Sequence, residues 1–543
     1  MPITEFLRTN AARYPDEVAL VEINPTDRPA APQAWREFQL IEPARADSYR
    51  RTLTWAQFDR VANQVAHMLQ AHGVKPGEKV AILLMNCLEW LPLYFGVLRA
   101  GAIVVPMNYR YTAEEIQYCL ELADVSLLVF GPEFTTRIEQ VLPKLRVREF
   151  FFVGEPRPAF AGSLSEADSF PAAPPALPLR DEDDAAIYFS SGTTGFPKAI
   201  LHTHAALVSS CLTEQHHHGQ CHEDVFLCIP PLYHTGAKMH WFGSLLSGSR
   251  AVLLRGVRPE WILQTVSAEH VTIVWLLVPW AQDILDAIER GELKPEQYRL
   301  SQWRLMHIGA QPVPPSLVKR WLTCFPHHQY DTNYGLSESI GPGCVHLGVE
   351  NIDHVGAIGK AGYLWQTKII DEQGAPVKQG QVGELAVKGP GVMKEYYKNP
   401  EATAAILKED GWLLTGDMAR EDEQGFIYLV DRKKDVIISG GENIYPVQIE
   451  DFLRAHPHIK DVAVIGLPES RLGEITAAII SCKDGCSLTE AEVQSFCEGL
   501  PRYKRPRKVI FAEVPRNPTG KIEKPKLREI YCGVRLVEAQ TTK

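Results

Sequence analysis

Between Leu53 and Asn108 the apolar positions switch between two periods. Phe58, Val61, Ala62, Val65 and Leu69 recur at three- and four-residue spacing, and Gly73 follows as a stop signal, so this stretch predicts a helix. Val80–Met85 is a continuous apolar run of strand length, the pattern of a parallel strand covered on both faces. Leu88–Ala100, closed by Gly101, predicts a second helix, and Ile103–Met107 a second strand. The alternation predicts helices packed on a mainly parallel sheet. Residues 24–48 interrupt it with a polar, Pro- and Ala-rich stretch that reads as an inserted loop, and residues 171–178 (PAAPPALP) read as a stiff linker. Strand signals resume at Ala185–Phe189. From Gly356 to Tyr428, short runs such as Thr367–Ile370 and Glu384–Val387 are divided by Gly, Asp and Pro, which predicts a small β-rich subdomain.

After Asp431-Arg432-Lys433-Lys434-Asp435 the alternation starts afresh. Val447–Leu453 predicts a helix, Val462–Ile465 and Ala477–Ser481 strands, and Leu488–Leu500 a helix behind a Ser487-x-x-Glu490 capping box. The expected fold is α/β. Residues 1–433 form a large N-terminal region of several α/β subdomains with a β-rich subdomain, and residues 434–543 form a small C-terminal α+β domain, with the boundary near Lys434.

The 543 residues carry a net charge of −10, which disfavours nucleic acid as a partner. No CxxC pair occurs among the 11 cysteines, so free, mostly buried thiols in a reducing compartment are expected. The N-terminal MPITEFLRTNAARYPDE lacks the basic and apolar segments of a signal peptide. The most apolar run, Val271–Trp280, is too short to span a bilayer and is broken by Pro279. A cytoplasmic protein without an integral membrane segment is expected.

The segment Ser190-Ser191-Gly192-Thr193-Thr194-Gly195-Phe196-Pro197-Lys198 follows an apolar strand and holds hydroxyls, glycines and one lysine. Glycines let a loop fold tightly so that its N–H groups converge on an anion, and hydroxyls and a lysine add donors and charge. It is not a Walker loop, since Phe-Pro-Lys-Ala stands where Gly-Lys-Ser/Thr is needed. A Gly/Ser/Thr cluster by itself reads as a surface turn. The string closely resembles the phosphate-binding signature of the adenylate-forming superfamily, which includes acyl- and aryl-CoA synthetases. The resemblance covers Leu53 to Lys521 and rests also on Pro231-Leu232-Tyr233-His234, Tyr334-Gly335-Leu336-Ser337-Glu338, Thr415-Gly416-Asp417, Asp431–Asp435, Gly440-Gly441-Glu442-Asn443-Ile444-Tyr445-Pro446 and Pro518-Thr519-Gly520-Lys521, in that order. Ala199 stands where glycine is usual, and Ser337 where threonine is usual; Ser337 keeps the hydroxyl.

The resemblance implies the roles. Lys521, Glu338, Ser337 and Lys198 are the catalytic set, with Glu338 the Mg²⁺ ligand, Ser337 at the α-phosphate and Lys521 bridging carboxylate and α-phosphate. Ser190, Ser191, Gly192, Thr193, Thr194, Gly195 and Lys198 cradle phosphate. Gly309, Ala310 and Gln311 form the floor near adenine, Tyr334 stacks on the base, and Asn333 and Gly335 join the nucleotide contacts. Asp417 holds the ribose hydroxyls, and Arg432 is a second ribose or phosphate contact. Lys434 is the hinge on which a mobile C-terminal domain turns. Gly440 and Gly441 line a pantetheine tunnel, and Tyr503, Arg505 and Arg507 form the basic, aromatic patch that meets CoA. His234 is an aromatic gate, with Thr235 and Gly236 lining the acyl pocket. Each residue taken alone also has a plainer reading as a turn, core or surface residue.

The activity implied is AMP-forming acyl-CoA synthesis: a carboxylic acid, ATP and CoA give acyl-CoA, AMP and pyrophosphate through an acyl-adenylate. A medium-to-long-chain fatty acid or a cyclic or aromatic acid is the expected substrate. The alternatives are loading of a carrier protein and a non-catalytic AMP-binding sensor. Homodimer formation is compatible with the sequence and not decided by it. Lys238, in Ala237-Lys238-Met239-His240-Trp241, is a candidate for facing a second polar group on the acid, although a solvent-facing lysine is the commoner reading. The tract His216-His217-His218-x-x-Cys221-His222 lacks the paired ligand motifs of a structural zinc site, and no metal is expected there.

Overall fold

The computed structural model describes residues 1–25, 33–35, 38–40, 49–190, 197–309, 313–440, 442–483, 485–516 and 522–532; of 33–35, 38–40, 238–240 and 342 only the backbone is described. Contacts divide the chain into two compact units, one of Met1–Pro32, Ile41–Thr367 and Val387–Leu413, the other of Gln33–Leu40, Lys368–Ala386 and Leu414–Lys543.

The first unit is built on two large sheets. In one, the expected strands appear as Lys79–Leu83 and Ile103–Pro106, parallel to each other, with Val125–Phe130 parallel on the far side. Asp184–Ser190 joins in parallel beside Ile103–Pro106, and Lys198–Thr203 folds back antiparallel on it. In the other sheet Ile273–Leu277, Leu305–Gly309 and Gln329–Gly335 run parallel side by side. The apolar run Val271–Trp280 is thus a buried strand followed by the helix Val278–Glu289, with Pro279 in its first turn, where a missing N–H costs nothing.

The two expected helices are Trp55–Ala71 and Trp90–Arg99. Thr54 starts the first by accepting from the Gln57 N–H while Gln57 returns the bond. Their apolar faces meet in an aromatic core in which Phe58 and Phe95 lie edge to face at 5.6 Å and Phe95 and Trp241 at 5.9 Å. The insertion at residues 24–48 departs from a plain loop, since Gln33–Trp35 and Phe38–Leu40 pair antiparallel.

The strands Gln366–Ile370, Gly383–Lys388, Leu413–Glu421 and Ile427–Arg432 form one sheet, as the β-rich reading anticipates. A second sheet is built on the long antiparallel pair Ile459–Glu469 and Gly473–Cys482, with Lys508–Phe511 parallel on the latter. The helix Pro446–Arg454 buries Ile449 and Leu453 against Val462, Val464, Ala478 and Ile480 of that sheet. The predicted helix at Leu488–Leu500 is shorter. It runs Glu490–Phe496 and starts from Thr489, not Ser487: Thr489 and Glu492 form the capping box. This start places Val493 on the buried face, and Cys497 is buried just beyond the helix end. All eleven cysteines are free, and six are buried. Among the described residues no helix is long and apolar enough to cross a membrane.

Candidate active site

The buried strand Asp184–Ser190 delivers the chain to the phosphate-type loop, and Ser190 pairs with Lys198 across the hairpin that the loop closes. Ser191, Gly192, Thr193, Thr194 and Gly195 lie outside the described residues. The other edge of Lys198–Thr203 pairs with Glu395–Tyr396, setting Ile200 opposite Tyr396. That pairing puts the Tyr396 ring between two of the predicted residues. The Lys198 Nζ lies 4.7 Å from the ring centroid, and the Tyr396 hydroxyl donates to Glu338 Oε1 at 2.7 Å. Burial, together with the Glu338 carboxylate, pushes the Tyr396 phenol up, so it stays a donor.

The turn that carries Ser337 and Glu338 is anchored from behind. The Met393 N–H donates to the Glu338 carbonyl at 2.7 Å. His202, fully buried on the hairpin strand, contacts the Ser337 carbonyl through Nε2 at 2.8 Å. Burial pulls the His202 imidazole down to about 4, so at neutral pH it is uncharged, and the contact fixes its proton on Nε2. Tyr334 is buried in the strand leading into this turn, and Gly335 is exposed at its end. Sequence reasoning missed His202 and Tyr396. A histidine in an apolar strand and a tyrosine before a turn carry no local signal of this role.

His234 caps the helix Thr235–Ser247, its Nδ1 accepting the Gly236 N–H at 3.2 Å. Asn86 holds the preceding loop by taking the Leu232 N–H at 2.8 Å and donating to the Pro230 carbonyl at 2.9 Å. Thr235 is buried. A Cβ on Gly236 would stand 2.8 Å from Cη2 of Trp275, so the indole closes on the helix where only glycine leaves room.

Trp275 also begins a row across the parallel strands, Trp275 beside His307 and His307 beside Asp331. Gly309 and Asn333 come next toward the carboxyl ends of their strands, the end at which open α/β sheets bind ligands. The helix His204–His218 adds Glu214 and His218, one turn apart on one face. His218 Nε2 lies 3.0 Å from Glu214 and 3.2 Å from Asp331, His307 Nδ1 lies 2.5 Å from Asp331, and the Asn333 amide donates to Glu214 Oε1.

Burial opposes charge on His218, but Asp331 and Glu214 outweigh it and raise the imidazole to about 8. Burial also opposes charge on Asp331, which His218 and His307 hold well below the usual carboxylate range. Burial pushes Glu214 up, against the pull of the two imidazoles. The histidine tract is dispersed: His218 enters this cluster, His216 stacks on Tyr363 at 4.1 Å, and His222 stacks on Tyr14 at 4.0 Å. Ala310, Gln311 and the side chain of Lys238 lie outside the described residues.

In the second unit, Asp417 and Arg432 face each other across two antiparallel strands and pair at 2.6 Å, with Asp417 buried. Gly416 lies in the strand just before Asp417 at φ +72°, a region open to glycine, and its N–H donates to Glu384. Lys434 is exposed in a short turn, Lys433–Asp435. The Gly440 N–H donates to the Leu472 carbonyl at 2.8 Å, and Gly441 lies outside the described residues. Tyr503 and Arg507 are exposed, while the Arg505 guanidinium is spent on the Leu500 and Glu498 carbonyls. Lys521 lies outside the described residues; before it, Arg516 pairs with Asp461 at 2.7 Å and bridges to Ile522.

The AMP-binding enzyme family matches residues 7–397, and the AMP-binding enzyme C-terminal domain matches residues 448–521. The long-chain-fatty-acid–CoA ligase FadD13 of Mycobacterium tuberculosis is 32% identical over 486 residues, covering 88% of this chain and 93% of its own. Feruloyl-CoA synthase of an Amycolatopsis species is 33% identical over 483 residues, covering 88% and 94%. Among solved structures, ATP-bound MatB from Rhodopseudomonas palustris superposes with a TM-score of 0.82 at 27% identity, covering 98% of this chain and 100% of its own. The chain therefore belongs to the AMP-binding enzymes of the adenylate-forming superfamily, among the acyl-CoA ligases, enzymes of the acid–thiol ligase kind.

Proposed function

We propose that the protein converts a carboxylic acid, ATP and CoA to acyl-CoA, AMP and pyrophosphate, acting on a medium-to-long-chain fatty acid or a cyclic or aromatic acid. The fatty and aromatic acids named for its relatives support that range. The observation that carries the reading is the Lys198–Tyr396–Glu338 arrangement at the closed end of the phosphate-type hairpin. It sets a cation and a carboxylate about one tyrosine ring apart, beside the loop that would hold phosphate.

In the first step a carboxylate oxygen attacks the α-phosphorus of ATP, the bond to pyrophosphate breaks, and a mixed anhydride with AMP remains. Two anions must meet, so the obstacle is charge. Lys198 and Lys521 offset it, Ser337 donates to the α-phosphate, and the loop from Ser190 aligns the phosphates. Glu338 is half-buried, with Tyr396 on one oxygen, so its carboxylate suits a hard cation that takes oxygen ligands. Mg²⁺ bound there would neutralise phosphate charge. Asp417 accepts from the ribose hydroxyls, with Arg432 holding its carboxylate in place.

In the second step the CoA thiol sulfur attacks the acyl carbon and AMP leaves. The C-terminal domain, turning at Lys434, withdraws Lys521 and presents Gly440 and Gly441 as the pantetheine passage. Tyr503 and Arg507 meet the CoA nucleotide. Arg505 stiffens that segment through its carbonyl contacts. A cytoplasmic location completes the reading.

The test is CoA-dependent AMP formation with a panel of straight-chain, cyclic and aromatic acids, in the parent and in Lys521→Ala. The variant is expected to lose about 10²–10³ in pyrophosphate release. It should make thioester from supplied acyl-adenylate at the parent rate. Loss of both steps in proportion, or a carrier-protein thiol accepted in place of CoA, would overturn the scheme.

A further inference from the structure

The buried quartet behind the nucleotide floor includes a contact that the chemistry above does not use. Glu214 is buried on the helix His204–His218, and Asn333 lies toward the carboxyl end of the strand Gln329–Gly335. One Glu214 oxygen accepts from the Asn333 amide nitrogen, and the other faces His218 Nε2 at 3.0 Å. A carboxylate whose two oxygens both accept leaves no ambiguity about the amide: its NH₂ must face Glu214. The Asn333 carbonyl oxygen therefore points the other way, and a Cβ on Gly309 would lie 3.7 Å from it. The helix thus decides that the strand ends beside Gly309 present a hydrogen-bond acceptor and not a donor.

We propose that Glu214 is a positioning residue for base selection: by holding the Asn333 amide, it turns an acceptor toward the purine, favouring a 6-amino base and rejecting a 6-oxo base. The inference rests on the ATP reading of this site. An amino group donates to the Asn333 oxygen. An oxo group at the same place sets two acceptors face to face, and a buried acceptor without its donor costs more than a missing bond. His218, shared by Glu214 and Asp331, and His307 beside Asp331 keep the carboxylate fixed from behind. A glutamine at position 214 can present either an amide NH₂ or an amide oxygen, so Asn333 could flip.

The experiment compares ATP with inosine triphosphate in acid-dependent pyrophosphate release, in the parent and in Glu214→Gln. The ATP-to-ITP ratio of kcat/KM is expected to fall at least tenfold in the variant, with KM for ATP rising and KM for ITP falling. KM for the acid and kcat with ATP should stay within twofold, an outcome that loosened packing would not produce. An unchanged ratio in a folded variant overturns the proposal. If Glu214→Gln does not fold, the parent alone decides it: purine riboside triphosphate, which lacks any 6-substituent, must be used better than ITP, and the reverse order overturns it. A parent that releases no pyrophosphate from ATP with any acid removes the ATP reading itself, and the proposal with it.

Discussion

Two carboxylate-centred groups in the same unit are built on opposite terms. Glu214, His218, His307 and Asp331 are buried, and every charge among them faces another. Glu338, Tyr396 and Lys198 are joined by one hydroxyl bond and one ring contact, and Glu338 and Lys198 are only half-buried. The first group pairs internally, through His218 Nε2 and His307 Nδ1, and holds shape. On the proposed reading, the second keeps binding capacity in reserve for a ligand that brings its own charge. Pairing and burial, more than residue type, separate scaffold from chemistry here.

The sharpest way to break this contrast is to remove a member of the buried group. Asp331→Ala leaves His218 and His307 facing each other without their shared carboxylate. It is expected to cost about 3–5 kcal/mol of stability, read as denaturant midpoint or Tm. A change below about 0.5 kcal/mol, typical of surface sites, would make the cluster incidental.

The next effect is pH dependence. His218 is raised from 6.5 to about 8 in the folded protein, so folding binds its proton more tightly than the unfolded chain does. Its contribution is fully present below pH 6.5 and is lost as pH rises through about 8, on the order of 2 kcal/mol in all. The groups facing it are Glu214, Asp331 and His307, with Arg304 acting from farther off. Tm should fall between pH 6.5 and 9 in the parent and fall less in His218→Gln. Parallel curves would remove His218 from the account.

The smallest effect sharpens the other side. Tyr396→Phe deletes only the hydroxyl on Glu338, and the tenfold loss expected from it corresponds to about 1.4 kcal/mol. Adenylation should drop roughly tenfold, with a higher Mg²⁺ requirement, and Tm should hold. A fall in Tm with unchanged adenylation would place Tyr396 with the scaffold.

How much of this was legible along the chain depended on distance in sequence. The helices Trp55–Ala71 and Pro446–Arg454 and the strands around Val80 and Ala477 were readable because their periods are local. The capping start at Thr489 was misread because two Ser/Thr-x-x-Glu strings overlap, and burial of Val493 chose between them. The phosphate-type loop, Ser337-Glu338 and Thr415-Gly416-Asp417 stood out as strings, so the family and its chemistry were in reach before any coordinates.

The sequence by itself determined the order of elements and the family, and named the candidate residues for phosphate and carboxylate chemistry, because each is carried by neighbours along the chain. The tertiary structure alone decided that His202 holds Ser337 from 135 positions away, that Tyr396 reaches Glu338, and that Glu214 turns the Asn333 amide. Those contacts come from sheet pairing and helix packing between distant segments. No local period encodes which strand edge a histidine will face, or which amide a buried carboxylate will hold.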